Sequence, residues 1–209
     1  SSTTAAIIKK ALTASASASN KTYNGNTTAS TTLTFSGLAG SETLGQSVSS
    51  TFNNKNVGTG KTVTVNSITL SDGSNGGVAS NYSISSGQTT TANITAKALT
   101  VSGITASNKT YDGNTVVTLD LTGTSYSGLV SGDDVSISAS GSFDNKNVGT
   151  GKTVNISSSY SGSDVGNYSI TDQATTTANI TASVSVITVM GITASNKTYD
   201  GNTNATTDV

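Results

Sequence analysis

Three groups of residues have types and spacings that could do chemistry. Gly60-Lys61-Thr62 and Gly151-Lys152-Thr153 end the stretches NKNVGTGKTV and carry the last part of a phosphate-binding glycine loop. That loop needs a further glycine five positions before the second one, where Lys55 and Lys146 stand. It also needs a helix behind it, so that amide N–H groups face the phosphate. The next residues, VTVN and VNIS, are strand sequences. A glycine-rich hairpin leading into a strand accounts for both copies. Asp133 and Asp134, with Glu42 at the position of Asp133 in the first half, offer carboxylates. Calcium takes six to eight oxygens, and two adjacent acids without a calcium-loop pattern read as a solvated loop. Lys21, Lys109 and Lys197 stand near Asn or Asp and raise a lysine–asparagine isopeptide bond. That bond requires a buried lysine and a protonated carboxyl group, whereas these lysines flank exposed-looking turns.

The chain has no His and no Cys, so the common bases, thiolate nucleophiles and disulfides are excluded. Its ten Asp and one Glu fall mostly in turns, with no apolar pocket in the pattern to raise a pKa. The expectation is a non-enzyme with no catalytic residues, metal site or cofactor. The net charge of −1, with all ten basic residues Lys, gives no footprint for nucleic acid and no polybasic patch for an anionic membrane. No apolar run in this segment is long enough to span a bilayer.

What positions these residues is a repeat. ASNKTYNGNT at 18–27 returns as ASNKTYDGNT at 106–115 and 194–203, so Lys21, Lys109 and Lys197 are spaced by 88 residues. A period of this size means a tandem array of small domains. The expected division is 1–12, the last strand of a preceding repeat; 13–99, unit one; 100–187, unit two; and 188–209, the first part of a further repeat. Offsets between the units change between Thr27 and Gly37 and between Val65 and Asn81, which places loops there. ITAKALTVSGITASN joins the units without a flexible Gly/Ser linker.

The elements read as strands. Val117, Leu119 and Leu121 alternate with polar residues, as do Val135, Ile137 and Ala139. Val154, Ile156, Ser158 and Tyr160 continue the pattern, as do Ala178, Ile180 and Ala182. Period 2 between Gly, Asn and Asp punctuation marks half-buried strands. The fold class is all-β: a tandem array of small β-sandwich or β-grasp-like domains forming an elongated rod. A short helical turn fits GLVSGDD, and the expected core is Tyr111, Leu119, Leu121, Leu129, Phe143, Val148 and Tyr168. In NKTYDGNT, Asn24-Gly25 and Asp112-Gly113 are turn pairs. The tyrosine before them packs at a sheet edge, and the lysine lies along that ring or pairs with a carboxylate. Asn24 stands where Asp112 does, so no charge is required there.

KTYDGNT, FDNKNVGTGKTV, VGNYSI and ANITA, in that order, resemble the YDG repeat of large filamentous-haemagglutinin-like bacterial surface adhesins. The resemblance implies that Tyr111, Asp112, Gly113, Lys146, Asn147, Gly149, Asn167 and Tyr168 are framework positions rather than a catalytic site, and Lys21, Tyr23, Gly25 and Lys109 are read with them as structural motif residues. It implies an extracellular chain, secreted or on the bacterial cell surface, acting as a structural stalk. The partners expected are neighbouring repeats, or identical chains joined end to end by β-strand complementation into a filament. A third reading is a glycan- or ice-binding surface, from the threonine runs at 89–91 and 175–177. The residues name no host glycan or protein ligand.

Overall fold

The computed structural model describes residues 4–205, 207 and 208. Each whole unit builds a five-stranded sheet from short Thr-, Ser- and Val-rich segments. In unit one the order is Lys21–Thr22, Thr89–Thr95, Gly58–Asp72, Leu44–Phe52 and Thr28–Ala29. In unit two it is Lys109–Thr110, Thr175–Thr181, Gly149–Ser161, Ser136–Phe143 and Val116–Val117. The central hairpin is antiparallel, and the first strand adds parallel to the last.

A smaller antiparallel ribbon faces each sheet: Thr13–Ala18 with Thr31–Ser36, and Thr105–Ala106 with Leu119–Asp120. In unit two the ribbon's Ala106 and Leu119 pack on Val117, Phe143, Val154, Ala178 and Ile180. Phe143 sits directly across from Val154, as Phe52 does from Val63. β-Branched and aromatic residues fit the inner face of such a pleated surface, while Thr and Ser face out. The period-2 sets therefore hold, except that Ala182 is exposed. Layer against layer, with no α-helix among the described residues, is sandwich-like rather than grasp-like. The helical elements there are two single 3₁₀ turns, Ala79–Asn81 and Val165–Asn167. Around Val130 to Asp133, where a helical turn was expected, the chain makes one hydrogen-bonded reverse turn.

Strand partners fix the phase of the repeat. Lys97–Ser102 runs parallel to Tyr168–Thr171 and antiparallel to Ser125–Ser127. Lys97, Ala98 and Leu99, expected at the end of unit one, thus take their strand partner from unit two. Likewise Lys10–Ala11 pairs with Tyr82–Ser83 of unit one. Ala96 alone separates Thr89–Thr95 from Lys97–Ser102. In the last segment, Thr193–Ala194 pairs with Thr207–Asp208, which repeats the small ribbon.

The expected core needs two corrections. Phe143 and Tyr168 are buried and Leu119, Leu121 and Leu129 are half-buried, but Tyr111 is 39% and Val148 is 53% exposed. Their counterparts in unit one behave differently: Tyr23 is 1% exposed and Val57 is half-buried. The difference lies in the neighbour, because Tyr23 is covered by unit two.

Candidate functional site

The KTYDGN segment folds into a lysine-caged turn. Asp112 Oδ1 accepts the Asn114 amide at 3.1 Å, an Asx turn that reverses the chain over Gly113. Lys109 Nζ fills the loop, 2.7 Å from Asp112 Oδ1, and donates to Asn114 Oδ1 at 2.9 Å and the Val116 carbonyl at 3.0 Å. Lys21 does the same in unit one, donating to Asn24 Oδ1 at 2.9 Å and to the Asn26 and Thr28 carbonyls at 2.7 and 3.0 Å. A neutral amide at Asn24 therefore replaces the Asp112 carboxylate without changing the cage. The ring beneath the Lys21 ammonium is that of Phe52, 5.4 Å away, not the tyrosine of the motif. Lys109 holds the Asp112 carboxyl below the usual carboxylate range. It is thus the ionised partner of an ion pair, not the protonated acid that isopeptide formation requires.

The GKT stretches lie in the central hairpin, each next to a register shift. Gly60 and Gly151 have φ of 59°, and their amides donate to Asn93 Oδ1 and Asn179 Oδ1 at 2.8 Å. Lys61 and Lys152 donate to Asn54 and Asn145 across the loop at 2.6 and 2.7 Å. Each GKT continues into strand, so amides and lysines serve the hairpin and present no phosphate cradle.

The most densely connected side-chain cluster lies where unit one meets unit two. The Asp133 carboxylate sits at its centre, with a side chain 4% exposed. Its Oδ2 accepts the hydroxyls of Tyr23 at 2.7 Å and Tyr168 at 2.5 Å, and its Oδ1 accepts Lys55 Nζ at 3.1 Å. Lys55 also lies 2.8 Å from Asp164 Oδ1 and 5.9 Å from the centre of the Tyr23 ring. Tyr23 and Tyr168 meet edge to face at 5.5 Å. The Tyr168 hydroxyl also accepts the Val130 amide at 3.0 Å, which pins the loop carrying Asp133. Beside it, Asn167 Oδ1 accepts the Val57 amide at 3.0 Å. Under these polar contacts one apolar cluster runs through both units, from Phe52, Val63 and Ile94 to Leu99 and Tyr168.

The sequence reading placed Lys21, Tyr23, Gly25, Asn167 and Tyr168 among its motif residues, and all five lie at or beside this joint. Lys109, Tyr111, Asp112, Gly113, Lys146, Asn147 and Gly149 lie at the other end of unit two and take no part in it. Lys55 and Asp164 do not stand out in the sequence as site residues, and Asp133, which reads there as part of a solvated loop, has a side chain only 4% exposed. Asp133 faces an ammonium and two hydroxyls. The available signal was that Glu42 and Asp133 share one repeat position and Lys55 and Lys146 another.

Gly25 is fixed by this contact. Its φ is 81°, and a Cβ there would lie 2.8 Å from Val130 Cγ1 of unit two. Gly113 has φ of 84°, but a Cβ there would meet nothing within 4 Å. Gly113→Ala should cost only the left-handed penalty, about 1–2 kcal/mol. Gly25→Ala adds the clash and should lower the unfolding temperature further; equal shifts in calorimetry would show that the Val130 contact carries no weight.

Charge makes the joint acid-sensitive. Burial opposes ionisation of Asp133, but hydrogen bonds from Tyr168, Tyr23 and Lys55 outweigh it and keep its pKa low. Asp164 is lowered mainly by Lys55. Burial, then Asp133, pushes the Tyr168 hydroxyl up to about 12. A carboxylate with a depressed folded pKa stabilises fully above its unfolded value and loses that contribution as pH falls through the folded one. The joint should therefore hold at neutral pH and weaken below about pH 4, near the free carboxylate value. Titrating Tyr23 ring resonances by NMR tests this: an environment unchanged down to pH 2 would contradict it.

These features define an all-β tandem-repeat protein whose elaborated site is a contact between repeats. The YDG domain matches twice, over residues 8–92 and 95–178, and the chain belongs to that family. No curated protein and no solved structure matches it.

Proposed function

We propose that this chain is a non-catalytic stalk segment of a secreted bacterial surface adhesin, a stiff spacer holding a binding region away from the cell. The observation that carries the reading is the joint. A single residue links the strands of the two units, an apolar cluster crosses between them, and Asp133 ties Tyr23 and Lys55 of one to Tyr168 of the other. A spacer needs resistance to bending between domains, and this arrangement supplies it. Negative-stain electron microscopy across a concentration range tests the reading. Single short rods at every concentration are expected, and particles bent at random between the units would overturn it.

End-to-end assembly by strand complementation is the second reading. Ile7, Ile187, Val189 and Ile192 are exposed where their counterparts Ile94, Leu99, Val101 and Ile104 are buried. Long fibres on the same grids would put this reading first. The glycan- or ice-binding reading finds less support. Thr28, Thr51, Thr64 and Thr89 stand in one row across four strands of unit one. The same row in unit two is Val116, Ser142, Asn155 and Thr175, so the threonine array does not recur.

A further inference from the structure

The joint has two unlike halves, and each whole unit carries both. The downstream half is the tyrosine of the KTYDGN turn together with the lysine, asparagine and valine of the NKNVG loop. In unit one these are Tyr23, Lys55, Asn56 and Val57; in unit two they are Tyr111, Lys146, Asn147 and Val148. The upstream half is a carboxylate held by a tyrosine hydroxyl beside an asparagine. In unit two these are Asp133, Tyr168 and Asn167; in unit one they are Glu42, Tyr82 and Asn81. In unit one the upstream half is already formed with no other whole unit against it among the described residues. The Tyr82 hydroxyl donates to Glu42 and accepts the Ala39 amide at 3.1 Å, the same pattern as Tyr168 with Asp133 and Val130. The covering differs: Asn167 is buried against unit one, whereas Asn81 is exposed.

We propose that the exposed end of unit two, made by Tyr111, Lys146, Asn147 and Val148, is a docking surface whose occupant is a further YDG unit in the same chain. That occupant presents a carboxylate beside a tyrosine hydroxyl and an asparagine. The inference rests on the spacer reading and names its connector. Charge complementarity and the seated example agree: Lys55 is met by Asp133 and Asp164, and Tyr23 is buried by Tyr168 and Asp133. Lys146 and Tyr111 offer the same cation and hydroxyl, and both are exposed among the described residues. Because the two halves differ, a unit cannot pair with itself about a two-fold axis, and the contact propagates head to tail. The joints are also graded. Val78 stands at the position of Asp164, so the upstream face of unit one offers one carboxylate where that of unit two offers two.

The test is a longer chain in which residues 97–184 are repeated once in tandem. Exposed Val116 is changed to Ile in the added copy, to distinguish its peptide by mass. Tyrosine nitration by tetranitromethane, mapped by mass spectrometry, reads accessibility. In the 209-residue chain Tyr23 should react at least about tenfold more slowly than Tyr111, as for a ring reached only by local opening. In the three-unit chain, Tyr111 of the middle unit should join the protected class, while its copy in the last whole unit stays reactive. Asp133→Ala in the added copy should restore reactivity at the middle Tyr111, which added length alone would not do. An equally reactive Tyr111 in both chains would overturn the proposal, even if the particles are rods. Bent particles with a protected Tyr111 would instead sink the spacer reading and leave the docking surface standing. Concentration-dependent protection of Tyr111 in the 209-residue chain would make a second copy the occupant and overturn the commitment to a unit in the same chain.

Discussion

Tyr23→Ala should destabilise the chain by about 3–5 kcal/mol, the range for removing a buried aromatic ring. Tyr23 is 1% exposed, packs edge to face on Tyr168 and donates to Asp133. Removing it opens a cavity in the apolar cluster that crosses the units and takes one hydroxyl from a buried carboxylate. Tyr111→Ala, the same change at the same repeat position, should stay near the ±0.5 kcal/mol expected of a surface substitution. Chemical denaturation of both variants measures the contrast. Similar losses at the two positions would mean that Tyr23 stabilises its own unit and not the joint.

Asp133→Ala is the second large effect, expected mainly in cooperativity. The substitution leaves the hydroxyls of Tyr23 and Tyr168 without their acceptor and removes one of the two carboxylates from Lys55. A buried polar group left unpaired costs more than the original bond contributed. Asp164 still faces Lys55, and the inner core of unit two, from Val117 to Ile180, does not touch the site. Both units should therefore remain folded while losing their coupling. Calorimetry should show one transition in the parent chain and two separated transitions in the variant. Asp133→Asn keeps an acceptor of the same shape and should fall between them. A single sharp transition in Asp133→Ala, at the parent temperature, would remove Asp133 from the account.

Much of the fold could be read from the sequence because strand signals are local. The alternation of Val117, Leu119 and Leu121, and of Ala178 with Ile180, states which face is inward without any knowledge of partners. The Asx turn at Asp112-Gly113-Asn114 and the failure of GKT as a phosphate loop were likewise decided by the nearest few residues. The joint was hidden for a physical reason. Tyr23 and Asp133 are 110 positions apart, and they meet only because one unit stacks on the next. A repeat alignment shows that both positions recur, but not whether a tyrosine meets the acid of its own unit or of its neighbour. Tyr111 and Val148 read as core for the same reason. Their residue types suit a buried contact, which Tyr23 and Val57 make, but the cover comes from outside the unit. The phase of the repeat was ambiguous because any cut of a periodic sequence is equivalent. Only the pairing of Lys97–Ser102 with Tyr168–Thr171 shows where one unit closes.

The most direct measurement is the distance distribution between spin labels on the two units. The chain has no native cysteine, so Ser47→Cys and Ser138→Cys, at equivalent exposed positions of the two hairpins, label it uniquely. A locked joint predicts a single narrow distribution by pulsed electron resonance at neutral pH, broadening in Tyr23→Ala. A broad distribution in the parent chain, unchanged by that substitution, would contradict the account: the units would then be beads on a hinge.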